Sequence, residues 1–165
     1  MNELKTNDNI NNTTFELNKI IPDDIKDNIL NDDEVKDVKY NVYRVAKTGK
    51  IEEDTFDSTY EEIKKEIIPC FNKKLEEIGT YSTSTHIDKR DSLKFLKLQK
   101  KKYSPPACLI YGEISYGKTR YIPEKTHNSH VDWWIFEGCK QKIIEENFFK
   151  ICDEGDGNNE WYSFP

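Results

Sequence analysis

The sequence predicts a single α+β domain with a mainly antiparallel sheet and about three to four helices. Three observations predict this class. The 165 residues are a usual length for one domain. Helical and alternating hydrophobic patterns are mixed along the chain without a strict strand–helix–strand order, which disfavours a doubly wound sheet. Residues 130–136 alternate like a strand and contain two adjacent tryptophans, which predicts a strand in the core.

The N-terminal third is predicted to form a tail, one helix and one strand. Residues 1–16 are rich in Asn, Thr and charged residues, so we expect a disordered tail, with 17–165 as the domain. A proline followed by two acidic residues predicts the start of a helix over about 22–30. Residues 39–46 alternate and predict the first strand. Arg44 lies on an otherwise largely apolar face of that strand and therefore needs a partner.

The middle of the chain is predicted to contain two helices separated by a polar strand. Ser58 and Glu61 have the spacing of a capping box, and apolar residues at helical spacing extend the first helix as far as Ile78, although Pro69 must bend or restart it. Residues 81–85 are β-prone and polar, which suits an edge strand or a strand lining a cleft. Residues 88–102 predict the second helix, with its basic residues near the end.

The C-terminal third is predicted to supply most of the sheet. Residues 107–114 form the most apolar segment and predict a central strand, while 119–122 follow a turn and predict the return strand of a hairpin. The tryptophan strand comes next. Residues 141–151 fit either a short helix or an extended stretch, and 161–164 fit a terminal strand.

Residues 112–119 match the phosphate-loop pattern Gly-x4-Gly-Lys-Thr as a string. A phosphate loop needs a long helix directly after the motif, because the helix N-terminus holds the phosphate. Pro123 lies four residues after the motif and disfavours such a helix. We therefore expect the match to be fortuitous.

Charge and composition exclude several classes of protein. A net charge of −6 disfavours nucleic acid and anionic membranes as partners, because both are themselves negative. No apolar run reaches the length of a membrane span, and no signal-peptide core is present, so we expect a cytoplasmic protein. The four cysteines are widely spaced, which fits free thiols in a reducing compartment. The acidic N-terminal segment is a candidate docking site for a protein partner.

The tryptophan strand also carries candidate functional residues. Alternation puts His130, Asp132 and Trp134 on one face, where His130 could act as a base and Asp132 as its orienting carboxylate. The structural alternative is a polar pair that bonds to loop backbone. A metal site would need His127 as a third ligand in defined geometry, and we expect no metal.

Arg44 on the first strand, the Ser-Thr-Ser run at residues 82–84 and a later glutamate resemble the layout of ADP-ribosyltransferase folds. The resemblance implies that Arg44 contacts the phosphate or ribose of NAD, that the hydroxyl run shapes the pocket, and that Glu113 or Glu137 polarises the leaving nicotinamide. The order Val-Tyr-Arg-Val, Tyr-Ser-x-Ser and His-x-Asp-Trp-Trp also resembles a type of small bacterial protein, which implies no chemistry.

Two functional hypotheses follow. The first is a small cytoplasmic transferase or glycohydrolase that acts on NAD or a related nucleotide, as a bacterial toxin or defence component. In it Ser82 and Ser84 shape the pocket, Trp134 stacks on the base, and Glu113 or His130 serves the chemistry. The second is a non-catalytic protein–protein interaction module that docks through the acidic N-terminal segment, with the aromatic residues serving only as core.

Overall fold

The computed structural model describes residues 14–70, 74–99, 106–126 and 128–152. Within them, one seven-stranded antiparallel sheet is combined with five α-helices and two 3₁₀ helices, which confirms the predicted α+β domain. The strands are β1 (Val35–Lys36), β2 (Asn41–Ala46), β3 (Thr83–His86), β4 (Cys108–Glu113), β5 (Gly117–Arg120), β6 (His130–Ile135) and β7 (Phe149–Ile151). The helices are α1 (Asp23–Asn31), α2 (Thr59–Lys64), α3 (Lys89–Gln99), α4 (Pro123–Thr126) and α5 (Lys140–Glu145), with 3₁₀ helices at Glu53–Phe56 and Ile78–Tyr81.

The strands are arranged in the order β1-β5-β6-β3-β2-β4-β7, so the polar strand β3 lies in the centre of the sheet. Its alternative assignment as an edge strand is wrong. A central strand tolerates its hydroxyls because they are bonded to backbone: Thr83 donates to the Phe56 carbonyl and Thr85 to the Val131 carbonyl. The other alternative, a strand lining a cleft, agrees with the structure.

One face of the sheet is covered by α5 and the 3₁₀ helix Glu53–Phe56. Trp133 is fully buried on this face, stacked on Phe149 with ring centroids 5.7 Å apart and edge-on to Phe56 at 5.9 Å. Ile143 of α5 belongs to the same cluster. These rings belong to the largest cluster of buried apolar side chains given by the described residues.

The opposite face is covered by α1 and α3. Trp134 is fully buried there with Ile25 and Ile29 of α1, and its Nε1 donates to the Ile78 carbonyl at 3.1 Å. Leu96 of α3 packs on the other half of this face. The two adjacent tryptophans thus anchor different layers, as strand alternation requires.

The predicted boundaries hold for α1 and for the start of α2. At the start of α2 the Glu61 backbone N–H donates to the Ser58 hydroxyl, and the Ser58 backbone N–H donates to the Glu61 carboxylate. The extension of α2 to Ile78 is wrong. The helix ends at Lys64 because Glu66 adopts a left-handed backbone with φ of 57°, and Pro69 follows.

Residues 141–151 form both predicted alternatives in succession, since α5 is followed by β7. β5 returns to pair with β6 and β1 instead of forming a hairpin with β4. Gly117 permits the close approach to β6, because a Cβ there would lie 2.5 Å from Trp133 Nε1. The Gly-Lys-Thr of the phosphate-loop string therefore lies in a strand, without the helix that phosphate binding needs.

Part of the predicted tail is packed: Phe15 stacks on Phe136 with ring centroids 5.7 Å apart, and the Glu137 backbone donates to the Glu16 carbonyl. Residues 1–13 of that tail, the loop residue His127 and the predicted strand at 161–164 lie outside the described residues. Among the helices that the structure describes, none has the length and apolar character to cross a membrane.

Replacing Trp133 by alanine should lower the free energy of unfolding by roughly 3–5 kcal/mol, because it removes a fully buried ring and leaves a cavity. Chemical denaturation measures this. Leu98→Ala is the control: Leu98 is 67% exposed, so its loss should change the free energy by no more than about 0.5 kcal/mol. Equal effects of the two substitutions would contradict the described core.

Candidate functional site

A cleft of about 580 Å³ opens where two central strands separate. β2 and β3 pair only at Tyr43 and His86, and beyond this pair the strands diverge. The cleft lies between α2 and α3, with β2, β3 and β6 contributing its floor. It is more than twice as large as a second pocket of about 270 Å³ lined by Asp54, Glu61 and Lys65.

Arg44 of β2 fills the gap between the separated strands. Its Nη1 donates to the Ser84 carbonyl of β3 at 2.6 Å, its Nη2 donates to the Asp57 carbonyl at 3.0 Å, and its Nε donates to the Thr55 carbonyl. These bonds use three of the five N–H groups of the guanidinium. The side chain thereby joins the two strands where their backbones no longer pair.

The positive charge of Arg44 is not neutralised by direct contact. All three of its acceptors are backbone carbonyls, and no described carboxylate forms an ion pair with it. Burial lowers the pKa of Arg44, while the nearby carboxylates of Glu62, Asp57 and Glu61 oppose that shift. A guanidinium remains protonated in proteins, so Arg44 brings a positive charge to the cleft wall.

Two histidines and two serines form the polar floor of the cleft. His130 Nε2 lies 3.1 Å from Ser84 Oγ, and His86 Nδ1 lies 3.0 Å from Ser92 Oγ of α3. The two imidazole rings meet edge to face with centroids 5.7 Å apart. Their contact follows from the register, because His86 and His130 are directly opposite each other on β3 and β6.

His86 is neutral at pH 7. Burial is the largest cause, and together with the positive charges that His130, Arg44 and Lys94 can carry it lowers the pKa of His86 to about 4, against the opposing effect of Asp91. A neutral imidazole has one N–H donor and one lone-pair acceptor. The cleft floor therefore contains an acceptor or base that stays unprotonated over the physiological range.

Two carboxylates line the cleft. Glu62 of α2 is paired with Lys47 at 2.6 Å and its side chain is 12% exposed. Asp57 is almost fully buried, with ion pairs to Lys65 and Lys140, both at 2.7 Å. Because both oxygens of Asp57 are occupied by lysines, Glu62 is the carboxylate better able to face a ligand.

Three of the six residues predicted for the site come together: Arg44, Ser84 and His130 all line the cleft. Arg44 and His130 are 86 positions apart in the sequence. Their common location depends on β2, β3 and β6 lying side by side.

The other three predicted residues lie elsewhere. Ser82 is fully buried, and its hydroxyl bonds to Asp132 at 2.6 Å. Trp134 lies in the core with both ring faces covered, so it cannot stack on a base. Glu113 lies at the end of β4, 46% exposed, beside Lys39. Burial rules out the stacking role predicted for Trp134, and neither Ser82 nor Glu113 lines the cleft.

Asp132 does not orient His130. Its carboxylate forms an ion pair with Arg120 at 2.7 Å and accepts the Ser82 bond, so it serves the structure of the sheet. The hydrogen-bond partner of His130 is Ser84 instead of Asp132.

Sequence reasoning missed His86, Glu62 and Phe95. His86 follows Ser84 by two residues, so strand alternation was a signal that they share a face. Glu62 and Phe95 project into the cleft from α2 and α3, and no motif marks either of them.

No group of three or more His, Cys, Asp or Glu side chains suited to a metal ion occurs in the described part of the chain. Comparison with known proteins gives no match for this chain among family models, curated proteins or solved structures.

Arg44→Ala should lower the free energy of unfolding by about 3 kcal/mol or more, because three carbonyls lose their donor inside the fold. Arg44→Lys should recover only part of the loss, since one ammonium cannot reach three acceptors in a planar fork. Arg90→Ala is the control, as Arg90 is exposed on α3. Denaturant midpoints measure all three, and an Arg44→Ala chain as stable as its parent would contradict the bridging role.

Stability should depend on pH through His86. Its ordinary pKa is 6.5 and its folded pKa about 4, so between these values the unfolded chain binds a proton that the folded chain does not. The free energy of unfolding should therefore fall as the pH decreases through this window. Asp88, whose pKa is lowered from 3.8 by hydrogen bonds from Arg90, loses its contribution only below the window.

Thermal melts from pH 7 to 4 test this dependence, with His86→Asn as the comparison. The variant cannot bind that proton in either state, so its midpoint should change less with pH than that of the parent. Parallel curves for the two chains would show that His86 does not have the lowered pKa.

Proposed function

We propose that the cleft between β2 and β3 binds NAD or a related nucleotide and that the chain hydrolyses or transfers the glycosidic bond to nicotinamide. One observation carries this proposal: Arg44, Ser84 and His130 line a single cleft, with Ser84 and His130 in hydrogen-bond contact. These residues come from three different strands. A converging set of polar groups in a well-formed cleft is the usual form of a ligand site.

The size and lining of the cleft suit a nucleotide. Its volume of about 580 Å³ lies within the usual range for small-molecule sites, roughly 300–1,000 Å³. Phe95 and Ile68 supply an apolar wall for a planar base, and Phe95 is 41% exposed. Arg44 supplies a positive charge without a paired carboxylate, which favours the phosphates.

The chemistry can be assigned to three groups. The C1′–N bond of the nicotinamide ribose breaks, and nicotinamide leaves with the electron pair, which neutralises its pyridinium ring. Glu62 stabilises the positive charge that develops at the ribose. A water molecule or an acceptor hydroxyl then adds to C1′ and releases its proton to His130, which Ser84 holds in position.

Glu62 takes the role that the sequence assigned to Glu113. The two glutamates form a matched pair, because Glu62 lines the cleft and Glu113 lies outside it. Conversion of Glu62 to glutamine keeps an acceptor for Lys47 and removes the negative charge that the reaction needs.

NAD at about a hundred times its dissociation constant should stabilise the fold by about 2.7 kcal/mol. For a chain of this size that corresponds to an increase of roughly 5–10 °C in the melting temperature. Ser84→Ala and His130→Ala should reduce the increase. Glu62→Gln should keep the increase in melting temperature but lose the release of nicotinamide. Glu113→Gln should keep both the increase and the release. Differential scanning fluorimetry and a chromatographic assay for nicotinamide provide the two readouts.

The absence of any shift with NAD, ADP-ribose or ATP would sink this proposal and support the alternative, a non-catalytic interaction module. Saturable binding without release of nicotinamide would retain the site and reject the reaction. If Glu62→Gln and Glu113→Gln lose nicotinamide release to the same extent, the cleft is not where the reaction occurs.

A further inference from the structure

His86 is a second polar group of the cleft floor, and its hydrogen bonds determine which of its nitrogens carries the proton. His86 Nδ1 contacts Ser92 Oγ at 3.0 Å, and the same hydroxyl lies 3.3 Å from the Tyr43 carbonyl. A serine hydroxyl has only one proton to donate, and a carbonyl can only accept. The arrangement that forms both bonds has Ser92 donating to Tyr43 and His86 Nδ1–H donating to Ser92.

The opposite tautomer satisfies fewer groups. With the proton on Nε2, Ser92 would have to donate to Nδ1, and its bond to the Tyr43 carbonyl would be lost. No described residue accepts a hydrogen bond from His86 Nε2. The Nδ1–H tautomer is therefore favoured by one hydrogen bond, worth about 1 kcal/mol.

We propose that His86 presents the lone pair of Nε2 to the cleft and accepts a hydrogen bond from a ribose hydroxyl of the bound nucleotide. This inference rests on the proposed function and deepens it, because it names the part of the nucleotide that the histidine floor recognises. Ser92 acts as a positioning residue, since it fixes the tautomer without touching the nucleotide.

Three features of the cleft support a hydroxyl as the partner of Nε2. His86 is neutral at pH 7, so Nε2 accepts and does not donate. Its ring contacts His130, which belongs to the reacting pair, so the two histidines adjoin the same part of a ligand. The charged groups of the cleft wall, Arg44 and Lys47, are better suited to bind phosphate, which leaves the neutral imidazole for an uncharged hydroxyl.

The tautomer can be measured on the parent protein without any nucleotide. Long-range ¹H–¹⁵N correlation spectra distinguish a protonated imidazole nitrogen from one with a lone pair. The His86 signals are assigned as those that disappear from the spectrum of His86→Asn. At pH 7 we expect the proton on Nδ1. A proton on Nε2 would overturn the inference, even if NAD binds. In Ser92→Ala the preference should weaken toward a mixture of tautomers.

The ribose contact is tested by a binding cycle with NAD and an analogue whose nicotinamide ribose lacks both hydroxyls. In His86→Asn the side-chain amide can still donate to Ser92, while no atom remains at the position of Nε2. The variant should bind NAD about tenfold more weakly than the parent does, and it should bind the dideoxy analogue with the parent's affinity. Titration calorimetry measures the four dissociation constants.

The outcomes separate the two proposals. If the parent binds NAD but His86→Asn weakens both compounds equally, the hydroxyl contact is refuted and the nucleotide site remains. If the parent binds neither compound, the proposed function fails, and the ribose contact fails with it. A melting temperature for His86→Asn within a few degrees of the parent's shows that a weaker affinity is not caused by unfolding.

Discussion

A single buried arginine holds together the part of the fold in which the cleft lies. β2 and β3 pair at one position and then separate, and the guanidinium of Arg44 donates to carbonyls on both sides of the opening. Without it, a central pair of strands would leave backbone acceptors unpaired inside the protein. The same side chain keeps its charge uncompensated by direct ion pairs, so structural support and a positive cleft wall come from one residue.

The region around Arg44 is reinforced by a network of charges. The backbone of Asp57 accepts a bond from Arg44, and its buried carboxylate binds Lys65 and Lys140. Lys140 belongs to α5, so this network ties the cleft wall to α5. Removal of both lysines would leave the buried carboxylate of Asp57 without a counterion, which is costly. The cleft is thus built on groups that cannot easily move.

The two faces of β6 contact different layers of the fold, and only one of them reaches the cleft. On one face Trp133 packs between aromatic rings, and on the other Trp134 anchors α1 while His130 reaches the cleft. Asp132 lies between His130 and Trp134 on the same face of β6, but its carboxylate forms an ion pair with Arg120. His130 is therefore supported by Ser84 and His86, its neighbours across the strand pair, and not by the carboxylate that is closest in sequence.

The sequence by itself determined the fold class, most strand positions and the start of α2, because periodicity and capping are local properties. Strand alternation also determined that Trp133 and Trp134 lie on opposite faces of β6. It also predicted site roles for Arg44, Ser84 and His130, which the structure places in one cleft. Only the tertiary structure decided that β3 is central, that Trp134 and Ser82 are buried, and that Glu62 and His86 face the cleft. Those outcomes depend on strand order and on which helix covers which strand, and such contacts join residues distant in sequence without any local pattern to mark them.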